Sequence, residues 1–405
     1  MTTPSLTTEP GGTRIGRRAE LRRRRRQRRQ RVLGGVVVLA LLAGGLVAWR
    51  QQRDAAQEQP LARAPQRTQA TLLLQLQGEN GAAVATALLA HDPASRSGSA
   101  VLVPPQVIVN VPGTGQIQLG RALKSVPPTG SRNAVADLLG VTVDGGWVID
   151  LPAMAALIDA IGGVRVDVDV PVIVSRQVLV NAGTQRLDGL RAVRFATYIA
   201  PAEQEQARLA RLQELLDGIL TGLPKSTPDV ARILQGLGRR SVPSLPVPQL
   251  AQFLIGLAAD GRSNAMQFDV LPVIPIDPGN GALSFRVDAP AARALVDRLL
   301  SQSVPPGARS GDNRVLVLNG VGTPGLGEKV RDKLVPAGFV YVGARNAPTF
   351  GHTRTQVLVR EATAPAQALG ARVAKALGVP VTSVATAELG TIADVIVLVG
   401  ADFVG

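Results

Sequence analysis

The chain has 405 residues, of which 45% are apolar, so it is long and apolar enough for two domains with buried cores. It contains no cysteine, which excludes disulfides, thiolate zinc sites and thiol nucleophiles. The two histidines, His91 and His352, belong to no H-E-x-x-H pattern, so a histidine-bound zinc ion is not expected. The net charge of +14 is uneven, because residues 1–53 carry 13 arginines against two glutamates.

The N-terminal region has the pattern of a basic tail followed by a membrane helix. Eight of the ten residues at 22–31 are arginine, and residues 32–49 are an uncharged apolar stretch that would span about 27 Å as a helix. Because positively charged flanks stay on the cytoplasmic side, we predict a cytoplasmic tail over 1–31 and a transmembrane helix over 32–49. This helix argues against nucleic-acid binding or transcriptional regulation by the arginines, and no nucleic-acid partner is expected.

A cleaved signal peptide is the alternative to an uncleaved anchor. Signal peptides usually have a shorter apolar core and a small-residue cleavage site directly after it. Here the polar and basic segment 50–53 follows the core, and the Ala-x-Ala pattern at 62–64 comes late. We therefore predict a single-pass protein of the cell membrane with its domains outside, joined to the anchor by a flexible stalk over 50–69.

Strand and helix patterns alternate between residues 70 and 300, which predicts an α/β domain with a mixed sheet. Apolar runs and strict alternation predict strands over 71–76, 83–89, 100–103, 107–111, 147–151 and 164–170. Apolar residues at helical spacing predict helices over 132–139, 152–161, 203–220, 248–258 and 289–300.

Three motifs in this domain are similar to the hallmark motifs of the LytR-CpsA-Psr family. They are LGV followed by WVIDL at 139–151, LIDAIGGVRVDV at 157–168 and AGTQRLDGLRAV at 182–193, in matching order and spacing. The resemblance implies a protein that moves a glycopolymer from a polyprenyl pyrophosphate carrier to peptidoglycan on the outer side of the membrane. It also implies arginines that clamp the pyrophosphate and aspartates that hold a magnesium ion.

The chain departs from the family at most of the positions that carry this charge. The family's first aspartate falls at about Ala70, the arginine and aspartate of its next motif fall at Pro105 and Gln106, and two further arginines fall at Thr197 and Ile199. Neutral side chains at these positions would bind magnesium weakly. We therefore assign no catalytic residue, no metal ligand and no cofactor, and Mg²⁺ is expected only if transferase activity remains.

One charged segment of the family's site is retained. Glu205 replaces an aspartate of the family, and Arg208, Arg211 and Gln213 match it. The resemblance implies phosphate binding by these last three residues, because guanidinium groups bind phosphate oxygens bidentately. The alternative is that Glu205 and Arg208, three residues apart on an amphipathic helix, form a surface ion pair.

The C-terminal part is predicted to be a smaller α/β domain over 314–403, after a linker over 301–313. Gly320, Gly322 and Gly325 form a G-x-G-x-x-G after a strand, which is the nominal dinucleotide fingerprint. The acidic residue expected about 20 positions later is absent, so no dinucleotide partner is expected. The domain instead resembles the LytR C-terminal domain, for which binding or assembly is the expected role.

Two functions remain open. The first is a membrane-anchored extracytoplasmic protein of the cell envelope that has lost catalysis and binds polyprenyl-linked or wall glycopolymers. The second is an active transferase that attaches glycopolymer from a polyprenyl pyrophosphate carrier to peptidoglycan with a rearranged site. The two functions differ in whether the remaining charged residues support turnover.

Overall fold

In the computed structural model, the described residues are 68–111, 114–174, 176–199, 203–277, 283–304, 313–387 and 389–403, and all of them belong to one compact unit, Gln66–Gly405. The predicted basic tail, the predicted transmembrane helix and nearly all of the predicted stalk lie outside the described residues. Within the described ranges, no helix has both the length and the apolar character needed to cross a bilayer.

The first domain contains fourteen strands among its described residues. They are β1 (Ala70–Gln77), β2 (Ala83–Asp92), β3 (Ser97–Val103), β4 (Ile108–Val111), β5 (Gly115–Gln118), β6 (Gly145–Asp150), β7 (Val164–Val168), β8 (Val172–Val174), β9 (Gln177–Val180), β10 (Gly183–Leu187), β11 (Ser241–Pro243), β12 (Met266–Val270), β13 (Val273–Ile276) and β14 (Ser284–Val287). Six of them form the main sheet in the order β11-β6-β1-β2-β3-β12. Pairing is antiparallel for β1–β2, β2–β3 and β11–β6 and parallel for β1–β6 and β3–β12, so the predicted mixed sheet is confirmed.

The helices of this domain cover both faces of the sheet. They are α1 (Leu119–Ser125), α2 (Pro128–Leu139), α3 (Leu151–Ala160), α4 (Gly189–Thr197), α5 (Glu205–Gly222), α6 (Thr227–Gly236), α7 (Val247–Arg262) and α8 (Ala289–Leu299). Local sequence explains several boundaries. Asp150 accepts a hydrogen bond from the Ala153 amide at 2.8 Å and so caps α3, and Pro152 occupies its first turn.

The two faces of β1 bury different cores because successive side chains of a strand point to opposite sides. Leu72, Leu74 and Leu76 pack with α3, α4, α5 and α7 on one face. Leu73 packs on the other face with α1, α2 and α8. Burying side chains of this size contributes roughly 1.5–3 kcal/mol each, so the two cores account for the domain's cohesion.

The beginning of β1 is tied to the end of α8. The Gln69 side chain is buried, its Nε2 donates to the Leu299 carbonyl at 2.8 Å, and its Oε1 accepts from the Ser303 hydroxyl at 2.7 Å. The Ser99 hydroxyl donates to the same Leu299 carbonyl at 3.0 Å. The chain therefore enters and leaves the first domain at one hydrogen-bonded point.

The C-terminal domain is a second α/β unit. Its elements are β15 (Arg314–Asn319), α9 (Leu326–Leu334), β16 (Val340–Asn346), β17 (Gln356–Val359), α10 (Ala364–Leu377), β18 (Val384–Thr386) and β19 (Val395–Val399), with strand order β16-β15-β19-β17-β18. The helices α9 and α10 pack with one face of this sheet. Residues 301–303 of the predicted linker form a short 3-10 helix, and residues 305–312 lie outside the described ranges.

The other face of the C-terminal sheet packs against the first domain. Leu316, Leu318 and Val342 share one apolar core with α2 and α8. Three polar contacts cross the same seam: the Ile392 amide donates to the Leu138 carbonyl at 2.9 Å, Arg345 pairs with Asp137, and Arg293 pairs with Asp394. The two domains are thus joined by a continuous core.

Candidate functional site

The positions that carry charge in the family are only partly gathered in space. Pro105, Gln106, Thr197 and Ile199 all line one open cavity of about 600 Å³. Ala70 does not, because it pairs with His91 at the end of β1 that lies away from the β1–β2 turn. Ala70 therefore lies outside this cavity, whereas Gln77, at the other end of β1, lies close to the β1–β2 turn.

We call this cavity the basic cleft. Its walls are the β1–β2 turn, the turn at 104–106, helix α1, the end of α4 and Arg208 of α5. The cleft is lined by three cations, Arg121, Lys124 and Arg208, and by no Asp or Glu among the described residues. Amide and hydroxyl side chains, including Gln106 and Gln118, complete its polar surface.

Arg208 is occupied by protein partners. Its side chain is 1% exposed, its Nε donates to Glu205 Oε2 at 3.1 Å, its Nη2 contacts Glu205 Oε1, and its Nη1 donates to the Val84 carbonyl at 2.7 Å. The ion pair suggested by the i, i+3 spacing is present, but it is buried, so the surface interpretation of this pair is wrong. Arg208 thus connects α5 to the beginning of β2 by its bond to Val84. Its positive charge at the cleft is balanced by Glu205.

Arg211 and Gln213 lie elsewhere. The Arg211 Nε donates to the Phe195 carbonyl at 2.8 Å, and its guanidinium pairs with Glu203, so it fastens α5 to the end of α4. Neither Arg211 nor Gln213 lines the basic cleft. The structure therefore does not bring the three sequence-predicted residues around one cavity, and their binding of phosphate stays a prediction.

No sequence pattern indicated the two cations that face the cleft most openly. Arg121 and Lys124 are one turn apart on α1, both are exposed, and no described carboxylate forms an ion pair with either. Helix α1 lies against the 104–106 turn because the Gly120 amide donates to the Pro105 carbonyl at 2.8 Å. A Cβ on Gly120 would approach the Ala83 carbonyl to 2.7 Å, so only glycine permits this approach.

The residues at the cleft do not fit a magnesium ion. Magnesium favours carboxylate oxygens in octahedral geometry. Glu205 stands where the family's charged segment has an aspartate, and both of its oxygens are engaged by Arg208. The Gln106 Nε2 also lies 3.4 Å from Glu205 Oε2. Within the described ranges, no group of three or more Asp, Glu or His side chains is arranged to hold a metal.

A larger cavity of about 930 Å³ lies on the other side of the β1–β2 turn and shares Thr197 with the basic cleft. Asp150 and Asp159 line it, and both have structural roles. Asp150 caps α3, and Asp159 Oδ1 accepts from the Gly189 amide at 2.7 Å. Gly189 is obligatory there, because a Cβ would come within 2.0 Å of the Ala155 carbonyl oxygen.

The glycine loop of the C-terminal domain is closed on itself. Asn319 Oδ1 accepts from the amides of Val321 and Gly322 at 3.1 and 2.8 Å, and its Nδ2 donates to the Thr323 carbonyl at 2.8 Å. Gly322 and Gly325 have φ of 84° and 77°, so the turn itself explains why glycine stands at these positions.

Two family models match the chain. Residues 76–239 match the LytR_cpsA_psr family, and residues 312–403 match the family described as LytR cell envelope-related transcriptional attenuator. No curated protein matches the chain.

Solved structures of low sequence identity share the fold of the first domain. A Streptococcus agalactiae protein is 16% identical with a TM-score of 0.51, and an Enterococcus faecalis protein described as a transcriptional regulator is 18% identical with a TM-score of 0.51. In both cases the match covers 58% of this chain and 88% of the other. The B. subtilis protein TagV is 14% identical with a TM-score of 0.50, over 58% of this chain and 98% of TagV.

Proposed function

Since the chain belongs to the LytR-CpsA-Psr family, we propose that it is a membrane-anchored extracytoplasmic protein of the cell envelope that binds a phosphate-bearing glycopolymer without transferring it. The ligand is either linked to a polyprenyl carrier or already part of the wall. The anchor is the predicted helix over 32–49. The observation that carries the proposal is the basic cleft. Neutral residues occupy the family's charged positions there, and the cations Arg121 and Lys124 are exposed at its surface.

The charges of the cleft suit a phosphate group. Arg121 and Lys124 offer guanidinium and ammonium donors on one face of α1, and no lining carboxylate competes with the ligand. Donors to an ionised phosphate form charge-assisted hydrogen bonds worth about 1.5–3 kcal/mol each when shielded from water, and less at an open cleft. The neighbouring amide and hydroxyl groups can accept and donate hydrogen bonds to sugar hydroxyls.

The same residues give a reason for the absence of turnover. Phosphoryl transfer depends on preorganised positive charge at the leaving pyrophosphate, and each such donor commonly contributes about 3–4 kcal/mol. Pro105, Thr197 and Ile199 provide none of it. Arg208 provides little, because Glu205 neutralises it, and among the described residues that line the cleft no carboxylate is left to hold a metal beside the phosphate.

The binding proposal is tested on the full-length chain in detergent micelles. Isothermal titration with inorganic pyrophosphate and with geranylgeranyl pyrophosphate should show binding that Arg121→Ala/Lys124→Ala weakens about tenfold, which corresponds to about 1.4 kcal/mol. The matched control is Arg232→Ala/Arg331→Ala, which removes the same charge from two exposed arginines outside the cleft. Equal weakening by both double variants would reduce the effect to net charge and contradict the proposal.

The non-catalytic part is tested separately. The full-length chain is given a lipid-pyrophosphate glycopolymer donor, an acceptor glycan and magnesium, and product is expected to remain at the level without protein. Turnover that Arg121→Ala/Lys124→Ala abolishes would overturn this part and identify an active transferase whose site uses the two cations of α1.

A further inference from the structure

The segment at 170–180 exposes several aliphatic side chains close together on its surface. Its sequence is VPVIVSRQVLV, and within it β8 and β9 form a two-stranded ribbon that is not part of a larger sheet. Val170, Ile173 and Val178 are 72%, 52% and 54% exposed. We call this segment the apolar ribbon.

The base of the ribbon packs into the hydrophobic core, which fixes the position of its exposed side chains. Val172 and Val180 are cross-strand partners, both are buried, and both belong to the core under α3, α4 and α5. Beyond a register shift, Ile173 pairs with Val178, and these two side chains stand together on the exposed part of the ribbon. Cross-strand pairs of this kind fix each other's position.

The charge of the ribbon limits its partner. Exposed Asp169 directly precedes the ribbon, but residues 170–180 themselves contain no acidic side chain. Their one charged residue, Arg176, is exposed at the turn of the hairpin with a φ of 67°. Segments that lie at the interface between anionic lipid headgroups and acyl chains typically combine aliphatic side chains with basic residues.

A second copy of the chain is a poor partner for this surface. A ribbon of three and four residues per strand presents a face of only about 13 Å by 10 Å, from the usual strand rise and spacing. A stable interface buries about 800 Å² on each partner. A lipid surface has no such requirement, because it accepts small apolar protrusions.

The tether keeps a bilayer within reach. Eighteen residues, 50–67, separate the predicted membrane helix from the described domain. A chain of eighteen residues spans at most about 60 Å when fully extended. We infer that the apolar ribbon inserts its Ile173 and Val178 side chains into the headgroup region of an anionic bilayer and so orients the domain on the membrane; this inference rests on the anchor in the proposed function.

The chain has no cysteine, so one introduced cysteine can be labelled alone. Val178→Cys and Val381→Cys, which are 54% and 60% exposed in different domains, are each labelled with an NBD fluorophore in the full-length protein. Both are placed in phosphatidylglycerol nanodiscs containing doxyl-labelled lipid. We expect at least twofold quenching at position 178 and none at 381. Adding Ile173→Asp to Val178→Cys should remove the quenching.

Each other outcome counts against the inference. Equal emission at the two positions in protein that co-elutes with nanodiscs overturns the ribbon contact and leaves the anchor and the phosphate-binding cleft standing. A blue-shifted label at 178 that doxyl lipid does not quench means that protein, not lipid, covers the ribbon. Protein that elutes apart from the nanodiscs contradicts both the anchor and the ribbon contact.

Discussion

Glu205 and Arg208 lie one turn apart on α5 and are both buried, with the Arg208 Nε donating to Glu205 Oε2 at 3.1 Å. The pair is internal to the protein, because the third bond of the guanidinium goes to the Val84 carbonyl. In a buried pair the loss of one member leaves an uncompensated charge. Arg208, which matches the family's motif, therefore stabilises the fold. Its substitution is expected to lower stability, whatever its effect on ligand binding.

We predict that Arg208→Ala lowers the free energy of unfolding by about 3–5 kcal/mol, because Glu205 would remain buried without its partner. Urea unfolding followed by the fluorescence of the buried Trp147 measures the change. Arg232→Ala is the control, since its partner Asp229 is exposed and such pairs contribute about 0–1 kcal/mol. Similar losses in the two variants would contradict a buried pair.

We predict that Gly120→Ala weakens pyrophosphate binding and lowers stability by about 1–3 kcal/mol. The added Cβ would meet the Ala83 carbonyl at 2.7 Å and Pro105 Cβ at 2.9 Å, so α1 must move away from the cleft and carry Arg121 with it. Titration calorimetry and urea unfolding measure the two effects. Gly236→Ala is the control, because a Cβ there meets no atom within 4 Å. Unchanged affinity in Gly120→Ala would show that the position of α1 does not control the cleft.

We predict a pH-dependent seam between the domains at Asp137. Burial raises the pKa of this carboxyl from 3.8 to about 6, although Arg345 lowers it. The folded protein therefore binds the proton more tightly than the unfolded chain. This contribution to stability is complete below about pH 4, is lost as the pH rises to about 6, and amounts to roughly 3 kcal/mol over that window.

The measurement compares wild type with Asp137→Asn in urea unfolding between pH 4 and 7, because the difference cancels the other titrating groups. Wild type should lose stability relative to the variant as the pH rises through this window. A relative gain over the same range would mean that the Arg345 charge outweighs burial.

We predict that Ile392→Ala lowers stability by about 2–5 kcal/mol, the usual cost of emptying a core site. Ile392 is 1% exposed, lies in the core that joins the domains, and its Cγ1 is 3.4 Å from the place a Cβ on Gly140 would take. Val381→Ala, at an exposed site of the same domain, should change stability by less than about 0.5 kcal/mol. Scanning calorimetry measures the stability of both variants. Equal changes in stability would mean that Ile392 does not stabilise the core that joins the domains.

Local patterns were sufficient for most of the first domain. The alternation at 164–170 predicted β7, and the helix predicted over 152–161 appears as α3. Helix α1 was not predicted, because its seven residues have no capping side chain and too few turns for a clear apolar period. The exposed cations of the cleft, Arg121 and Lys124, lie on that helix, so they could not be placed from the sequence.

Long-range contacts explain the remaining differences. The spacing of Glu205 and Arg208 predicted their pairing, but its burial depends on Val84 and Gln106, more than 90 residues away in sequence. The position of Ala70 outside the cleft has a similar origin, since which end of β1 meets the cleft is set by its pairing with β2. The strand predicted before the glycine motif appears as β15, but nothing local to it indicates that the first domain covers one of its faces.

The bond between Gln69 and the end of α8 has a mechanical consequence. A tensile load that reaches the domain through the preceding chain enters β1, which is paired with β2 on one side and β6 on the other. Force along a central strand loads its ladder bonds together in shear, whereas force on an edge strand would break them one after another. Because Leu299 and Ser303 hold the same point, part of the load passes directly to the segment that leads to the C-terminal domain. Tension between the two ends of the first domain then acts first on these hydrogen bonds, and less of it reaches the ladder bonds of the main sheet.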